Sequence, residues 1–233
     1  MRSLLTPTRK RGVEILDGPD VEPGIVTRSL ADVARSNALF GGMSSAIEEV
    51  KDALKEVPYV ASMLDVGTGL GDIPRRAREV AEENGIELTT IGLDASFALA
   101  TASRRALSAS VCGDALRLPF ADRSIDIVMC SQVLHHFTGE DEITLLREMD
   151  RVARVRVIVS DLRRSWIAAA GLWLASFPLR FHAVSRHDGV VSVLRGFTPE
   201  ELTDTVRKAV PRAPTVRSRR GYRVTASWSP AAR

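Results

Sequence analysis

The sequence is poor in cysteine, histidine and long apolar runs, and each shortage argues against a class of protein. Its 233 residues include two cysteines, Cys112 and Cys130, and four histidines, with no C-x-x-C pair. A zinc site therefore has almost no support, and we expect no metal. The longest uncharged run, at 165–179, contains Pro178 and is shorter than the ~20 residues that a membrane-spanning helix needs.

Leader-like and strongly charged segments are also scarce. The N-terminus has neither a long apolar core nor a small-residue cleavage site, so we expect no secretory signal. Both cysteines are flanked by strand-like sequence and are predicted to be buried thiols in a reducing compartment, which favours a cytoplasmic protein. The net charge of +3 gives no argument for nucleic acid, which is not an expected partner.

The composition that remains, 45% hydrophobic and 26% charged, is typical of a globular domain. From Tyr59 onward, short apolar runs alternate with helix-like stretches, which predicts an α/β fold with a parallel sheet covered by helices on both faces. In such open sheets, ligands bind beyond the carboxyl ends of the strands. The residues that follow each predicted strand are therefore the first candidates for a site.

The stretch MLDVGTGLGD, residues 63–72, ends the first predicted strand in alternating glycines. Glycines let a ligand approach the backbone and permit positive φ. A dinucleotide fingerprint would need glycine where Asp72 stands, and no G-K-[ST] follows, so a P-loop is excluded. Asp65 precedes the loop and suits a cationic amino-acid end. Asp94 and Asp114 end the next two strands, where carboxylates can bind ribose hydroxyls and an adenine amine.

This glycine loop and the three strand-end acids resemble the class I S-adenosylmethionine-dependent methyltransferases, and the resemblance extends from Tyr59 to Trp228. It implies a Rossmann-like, seven-stranded, mostly parallel sheet with a reversed terminal strand and S-adenosyl-L-methionine as the cofactor. On the family's pattern, the cofactor-binding residues are Asp65, Gly67, Thr68 and Gly69 at the methionine end, Asp94 and Ala95 at the ribose, Asp114 and Ala115 at the adenine, and Ser131 after the fourth strand.

The segment before this core is predicted to be an arm, to about residue 27, followed by two helices that Gly41-Gly42 divides. The predicted organisation is an N-terminal arm and helical cap at 1–57 and a methyltransferase core at 58–233. In related enzymes such helices close over the cofactor, so Asn37 and Gly41 are added to the cofactor-binding set. Phe40 fits ordinary helix core equally well.

Two adjacent histidines, His135 and His136, follow the fourth strand, on the side where the methyl acceptor is expected. A positioned histidine can remove the proton of a phenol or enol near neutral pH, so these are the candidate catalytic residues. Packing or capping is the competing interpretation. Asp161, which ends the fifth strand, either faces the acceptor or caps the next helix.

An insertion at about 164–197 follows the fifth strand, and in related enzymes this region builds the acceptor pocket. Trp166, Trp173 and Phe177 are predicted to line an apolar acceptor, which a transient membrane-surface contact could deliver. The stretch RHDGVVSVLRGFTPEEL resembles ubiquinone/menaquinone-biosynthesis-like methyltransferases and those associated with type III polyketide synthases. It adds His187 and Arg195 to the substrate-binding set, with surface ion pairing as the alternative.

We therefore expect methyl transfer to oxygen or carbon of a small, apolar, aromatic acceptor such as a polyketide, phenol or quinone precursor. An RNA methyltransferase is the first alternative, because Arg217, Arg219, Arg220 and Arg223 make a basic end, although Tyr222 is a single aromatic there and no series of aromatics is interleaved. A non-catalytic, cofactor-binding regulatory module of the same fold is the second. The sequence gives no oligomeric state.

Overall fold

A computed structural model describes residues 5–10, 12–18 and 22–230 of the chain. Within these residues, seven strands form one sheet. Their bounds are β1 Val60–Val66, β2 Glu87–Asp94, β3 Ala109–Cys112, β4 Ile125–Ser131, β5 Ala153–Leu162, β6 Thr215–Arg219 and β7 Arg223–Trp228.

Eight α-helices lie among the described residues. Their bounds are α1 Pro23–Leu39, α2 Gly42–Leu54, α3 Asp72–Glu83, α4 Phe97–Ser103, α5 Glu140–Val152, α6 Trp166–Ala175, α7 Ala183–Arg195 and α8 Pro199–Ala209. Local sequence sets several of these ends. The Thr198 hydroxyl accepts a hydrogen bond from Glu201 N while the Glu201 carboxylate accepts one from Thr198 N, the capping box that starts α8.

The strand order is β3-β2-β1-β4-β5-β7-β6, and β7 is the antiparallel strand between β5 and β6. This confirms the predicted Rossmann-like, mostly parallel sheet with a reversed terminal strand. The order reverses between β1 and β4, so a crevice opens beyond their carboxyl ends. One face of the sheet packs on α2 and α3, and the other on α5 and α8. The central strands are consequently buried on both faces.

The N-terminal arm lies along α6 and α7. Leu5 O accepts a hydrogen bond from Trp166 N, and Lys10 N donates one to Leu194 O. Both oxygens of the Asp188 carboxylate accept backbone N–H groups, from Ile15 and Leu16. The arm is thus strapped by hydrogen bonds to the 164–197 insertion.

Some boundaries and one burial prediction were wrong. Helix α1 begins at Pro23, so the arm ends earlier than residue 27. The stretch TGEDEITLLREMDRVA predicts a helix that starts at Thr138. Helix α5 instead begins at Glu140, directly after Gly139, whose φ is 62°. Cys112 is exposed, because it stands at the end of the edge strand β3, whereas Cys130 in central β4 is buried. The predicted arm's residues 1–4, 11 and 19–21 and the predicted core's 231–233 lie outside the described residues.

Candidate active site

The glycine loop after β1 meets the loop after β4 directly. Gly67 has φ of +72°, and a Cβ added to it would lie 2.4 Å from Val133 Cγ2. Packing against Val133 therefore requires glycine at position 67, and the Val133 side chain already fills the space where a Cβ would lie. Gly69 differs: its φ is +56°, and an added Cβ would meet nothing within 4 Å. The open backbone in this loop is at Gly69.

Asp94, at the end of β2, fixes the loop. One carboxylate oxygen accepts a hydrogen bond from Gly69 N at 3.0 Å, and the other accepts one from Ser96 N at 2.9 Å. A carboxylate has lone pairs to spare after two such bonds, so Asp94 can still accept from a ligand's hydroxyl groups. The structure thus places Asp65, Gly69 and Asp94 around one crevice at the β1–β4 switch.

Asp65 is buried beside this loop and incompletely satisfied. Thr68 Oγ1 donates to Asp65 Oδ2 at 2.9 Å, whereas Oδ1 has no hydrogen-bond partner. Burial raises the pKa of Asp65 to about 7; the Thr68 hydrogen bond opposes this rise and the nearby Asp94 carboxylate adds to it. A buried acceptor without a partner is costly, so the site fits a ligand that brings a cationic amino group.

The remaining predicted cofactor residues lie around this crevice or in its neighbourhood. Ala95 and Asp114 are exposed and Ala115 is half-buried, so the region predicted to bind the adenine is open. Ser131 Oγ is buried without a hydrogen-bond partner. Asn37 Oδ1 accepts from Gln132 Nε2 at 2.5 Å, which ties α1 to the loop after β4.

Gly41 has a protein role that the sequence did not indicate. Its φ is +80°, and an added Cβ would lie 2.7 Å from the carbonyl oxygen of Arg220 in the β6–β7 turn. The glycine therefore lets α2 begin in close contact with that hairpin. Cofactor contact by Asn37 and Gly41 stays a prediction.

A separate cavity of about 390 Å³ adjoins the loop after β4. Its lining is mainly apolar and comes from the arm, α1, α6, α7 and the β7 edge. Its members include Leu16, Val33, Phe40, Gln132, His135, His136, Leu162, Leu172, Phe181, Val193, Tyr222 and Arg223.

His135 is the buried, titratable group at this cavity. Its Nδ1 lies 2.7 Å from Asp161 Oδ1, and its backbone N donates to Asp161 Oδ2. Burial favours the neutral form of Asp161, but the interaction with His135 outweighs it and holds the pKa of Asp161 below its usual value. An ionised Asp161 requires the proton on Nδ1, so in the neutral ring Nε2 carries the lone pair. Nε2 has no hydrogen-bond partner.

His136 and Glu14 stand beside that nitrogen. The two histidine rings are 4.4 Å apart, and Glu14 Oε1 is 3.8 Å from His135 Nε2. Potential ligand atoms of Glu14, His135 and His136 lie within 4.8 Å of one another, a geometry that a metal ion could use. Glu14 Oε1, however, already accepts hydrogen bonds from Arg195 and Ser192, and this favours a structural role for the carboxylate.

The predicted acceptor residues have mixed positions. Asp161 does not cap α6, because Ser165 does; it reaches the cavity through His135. Trp166, Trp173 and Phe177 are 43%, 48% and 48% exposed and do not line the cavity, because α6 turns Ala168 and Leu172 inward instead.

His187 and Arg195 also lie off the cavity lining. The exposed His187 ring lies against Asp188, with Nδ1 2.8 Å from Oδ1, and Arg195 pairs with Glu14 at 2.9 Å. For Arg195 the structure shows the ion pairing that was the alternative interpretation, and His187 is within hydrogen-bonding distance of Asp188.

Sequence reasoning missed Glu14, Gln132, Leu172, Phe181 and Arg223. These residues come from five separate segments that no motif links. One local signal existed in the sequence for Gln132, which stands at the carboxyl end of the fourth predicted strand. In the structure its φ is 57°, which is rare for a residue other than glycine. Such backbone strain is concentrated at functional sites.

Comparisons with known proteins agree with this geometry. Residues 64–159 match the family described as Methyltransferase domain. The chain is 30% identical over 225 residues to the demethylmenaquinone methyltransferase of Roseiflexus sp. (strain RS-1), covering 84% of this chain and 88% of that one. The protein of that name from Thermotoga maritima is 27% identical over 166 residues, covering 63% of this chain and 68% of that one.

Solved structures share the fold. The plantazolicin methyltransferase BpumL in complex with a triazolic desmethylPZN analog and SAH has a TM-score of 0.70 at 12% identity, with 93% of each chain covered. A SAM-dependent methyltransferase from Aquifex aeolicus has a TM-score of 0.60 at 14% identity, covering 91% of this chain and 100% of that one.

The switch-point crevice and these matches define a class I S-adenosylmethionine-dependent methyltransferase, and the chain belongs to that family. S-adenosylmethionine is its methyl donor. Within the family, the relatives it matches at 30% identity are named demethylmenaquinone methyltransferases.

Proposed function

We propose that this methyltransferase acts on oxygen or carbon of a small, apolar, aromatic acceptor that carries a hydroxyl group, such as a phenol, a polyketide or a reduced quinone precursor. The observation that carries the proposal is the unpartnered Nε2 of buried His135 at an apolar cavity of about 390 Å³. The volume suits a ring system of modest size. The relatives' printed name, demethylmenaquinone methyltransferase, supports an acceptor of the quinone kind.

The cofactor would be bound in the crevice at the β1–β4 switch. Asp65 Oδ1 offers an acceptor for the cofactor's amino group, and Gly69 leaves room for the cofactor to approach the loop backbone. Asp94 can accept hydrogen bonds from the ribose hydroxyls. Ala95, Asp114, Ala115 and Ser131 complete this proposed set. When bound, S-adenosylmethionine supplies an electrophilic methyl group.

His135 would act on the acceptor's hydroxyl proton. Nε2 takes the proton, and the imidazolium that forms is stabilised by Asp161 at 2.7 Å from Nδ1. The oxygen gains electron density, which activates either that oxygen or the ring carbon next to it. The other residues of the cavity align the acceptor, because its oxygen or carbon must attack the methyl group in line. His136 lines the same cavity and is the second candidate base.

The RNA alternative loses its main support in the structure. Arg217 pairs with Glu49 at 3.1 Å, and Arg219 pairs with Glu48 and Glu49, both at 2.5 Å. Arg223 is 3% exposed. Three of the four arginines are therefore paired or buried, and exposed Arg220 alone gives little surface for a phosphate backbone.

Turnover tests the proposal. The protein is incubated with methyl-labelled S-adenosylmethionine and a panel of phenols, hydroxylated polyketides and chemically reduced naphthoquinones, and products are detected by mass. We expect a methylated product from at least one hydroxylated aromatic. Tight cofactor binding with no product across the panel would contradict the proposal and favour the non-catalytic module.

We also propose that the outer face of α6 contacts an anionic membrane surface. Trp173 and Leu174 are 48% and 61% exposed on this helix, and Phe177, two residues beyond its end, is 48% exposed. Cations border it: Lys10 Nζ lies 5.6 Å from the Trp166 ring, and Arg35 reaches the Leu179 carbonyl. Exposed aromatic and aliphatic side chains bordered by cations are typical of interfacial contact. No helix among the described residues has the length and apolar character needed to cross a bilayer.

Vesicle flotation tests this contact. The protein should float with phosphatidylcholine vesicles that contain phosphatidylglycerol, and the double variant Trp173→Ser, Leu174→Ser should stay unbound. The control is Tyr59→Ser, because Tyr59 is 71% exposed and lies just before β1, at the opposite end of the sheet from α6. Equal flotation of the double variant and the control would contradict the proposal.

A further inference from the structure

Arg223 is a buried cation, and its hydrogen-bond partners in the described part of the chain are all neutral. It is 3% exposed and lines the cavity. Its Nε donates to Phe40 O at 3.2 Å and its Nη1 to Gln132 Oε1 at 2.9 Å. Burial lowers the pKa of Arg223 to about 10, which the nearby Asp161 charge partly offsets, so the guanidinium remains charged at neutral pH. A buried charge that no described carboxylate contacts at ion-pair distance is expensive and points to an anionic ligand.

The carboxylates around the cavity have other partners. Asp161 lies against His135 Nδ1, and Glu14 accepts from Arg195 Nη1 at 2.9 Å. Asp188 accepts the N–H groups of Ile15 and Leu16.

The fourth carboxylate, Asp32, accepts from His182 N at 2.8 Å and from Ser185 Oγ at 2.9 Å. Each acidic group of the cavity therefore has donors of its own, and none of the described ones lies within ion-pair distance of Arg223. The positive charge of Arg223 is left for whatever occupies the cavity.

The strand register puts Arg223 and His135 close together, at the carboxyl end of β5. Arg223 opposes Leu162 in the β5–β7 pairing, and the residue before Leu162 is Asp161, which holds His135. Gln132 fixes the guanidinium from the other side, and its amide donates to Asn37. A base and a fixed cation thus border one apolar space.

We propose that Arg223 forms an oxyanion subsite, which binds the ionised oxygen of a hydroxylated aromatic acceptor. The inference rests on the proposed function and specifies its substrate class: an acceptor whose hydroxyl ionises in the cavity. The O–H bond breaks, the proton goes to His135 Nε2, and the electron pair stays on the oxygen. The negative charge then faces the guanidinium. Arg223 binds and positions the acceptor, and the preference is for ionisable phenols over neutral arenes of the same shape.

A matched pair of probes tests the subsite without methyl transfer. 4-Nitro-1-naphthol ionises readily, whereas 1-nitronaphthalene has no ionisable group. Both are titrated at neutral pH in the presence of S-adenosylhomocysteine, and the visible absorption of the naphtholate reports the ionisation state of the bound probe. We expect the wild type to bind the naphthol at least about tenfold more tightly, the scale of a hydrogen bond between charged groups.

Three variants sharpen the test. Arg223→Gln should lose the preference while its affinity for nitronaphthalene stays within about twofold, and Arg223→Lys should keep part of it. Arg217→Gln, whose guanidinium pairs with Glu49, is the control and should behave as wild type. Thermal unfolding checks that each variant is folded, and if Arg223→Gln does not fold, the Lys variant decides.

The subsite is overturned if the wild type does not prefer the naphthol over nitronaphthalene, or if it binds neither probe. It is also overturned if Arg223→Gln keeps the full preference for the naphthol. If Arg223→Gln does not fold, an unchanged preference in Arg223→Lys has the same meaning. Turnover is scored separately. A protein that prefers the naphtholate through Arg223 but never produces a methylated acceptor would keep the subsite and contradict the proposed function.

Discussion

The proposed cofactor crevice and the proposed acceptor cavity lie side by side, but the chain builds them in different ways. The crevice is made by one contiguous stretch, residues 63–72, and by the ends of neighbouring strands, with Asp65 and Asp94 as its charged groups. The cavity is assembled from the arm, α1, α6, α7 and β7, which are far apart in the sequence. The first site is therefore local in sequence, and the second exists only once the chain has folded.

This difference separates the two tasks of the enzyme. A cofactor shared by a whole family needs one backbone geometry, which a short glycine motif can encode. An acceptor that differs between enzymes needs a pocket whose wall can change, and helices added after β5 supply it. The contact between Gly67 and Val133 joins the glycine loop to the loop after β4, in which Gln132 and His135 line the cavity.

The largest expected effect separates the two sites by chemistry. His135→Gln should lower kcat by about 10²–10⁴-fold, the usual contribution of a general base, because Nε2 no longer takes the proton. Affinity for S-adenosylhomocysteine should stay within twofold, since the residue faces the cavity. Calorimetry and turnover on an accepted phenol measure the two effects. His136→Gln is the comparison variant: a loss confined to it would assign the base to His136, and wild-type rates in both variants would contradict a base role for the pair.

What the sequence could predict follows the same division. The structure has the G-x-G-x-G loop and Asp65 at the end of β1 and Asp94 at the end of β2, as predicted, because strand ends and glycine spacing are local signals. Their contact with the cofactor stays a prediction. Trp173 was predicted to face the acceptor because it is large and apolar, but the facing side of a helix depends on which neighbours it packs against. Arg223 was read as surface charge, since nothing in its own stretch shows that Phe40 and Gln132 will bury it.

The second prediction uses the pKa of Asp65, about 7 in the folded state against 3.8 normally. Between these values the folded protein binds a proton that the unfolded chain has lost, so stability falls as pH rises from about 4 to about 7. Relative to Asp65→Asn, the loss should reach about 4 kcal/mol, at about 1.4 kcal/mol per pH unit. Urea unfolding of both proteins across that range measures it, and parallel curves would contradict the account.

The third prediction distinguishes a structural glycine from a ligand-facing one. Gly85→Ala carries only backbone strain, since its φ is +71° and its added Cβ meets nothing, and it should cost about 1–2 kcal/mol of stability. Gly67→Ala adds the collision with Val133 and should cost about 1–3 kcal/mol more.

Gly69→Ala completes this series. Its stability should match that of Gly85→Ala, but its affinity for S-adenosylhomocysteine should fall, because the new methyl group enters the open side of the crevice. Denaturant unfolding and calorimetry give both quantities. Unchanged cofactor affinity in Gly69→Ala would place the ligand elsewhere.

The smallest expected effect compares the two faces of α6. Leu172→Ala removes part of the cavity wall and should weaken binding of 4-nitro-1-naphthol several-fold, on the order of 1 kcal/mol, because buried methylene groups are lost from the contact. Trp173→Ala, on the outer face, should leave that affinity within twofold. A larger effect at Trp173 than at Leu172 would contradict the cavity as the binding site and would favour the originally predicted contact between Trp173 and the acceptor.

The most direct test is a crystal structure of the protein with S-adenosylhomocysteine and 4-nitro-1-naphthol. We predict that the naphthol ring lies in the cavity beside Leu172, with its oxygen within hydrogen-bonding distance of His135 Nε2 or the Arg223 guanidinium, and that the cofactor product lies against Asp65 and Gly69. A ring bound instead on the outer face of α6, against Trp166 and Trp173, would contradict the assignment of the cavity as the acceptor site.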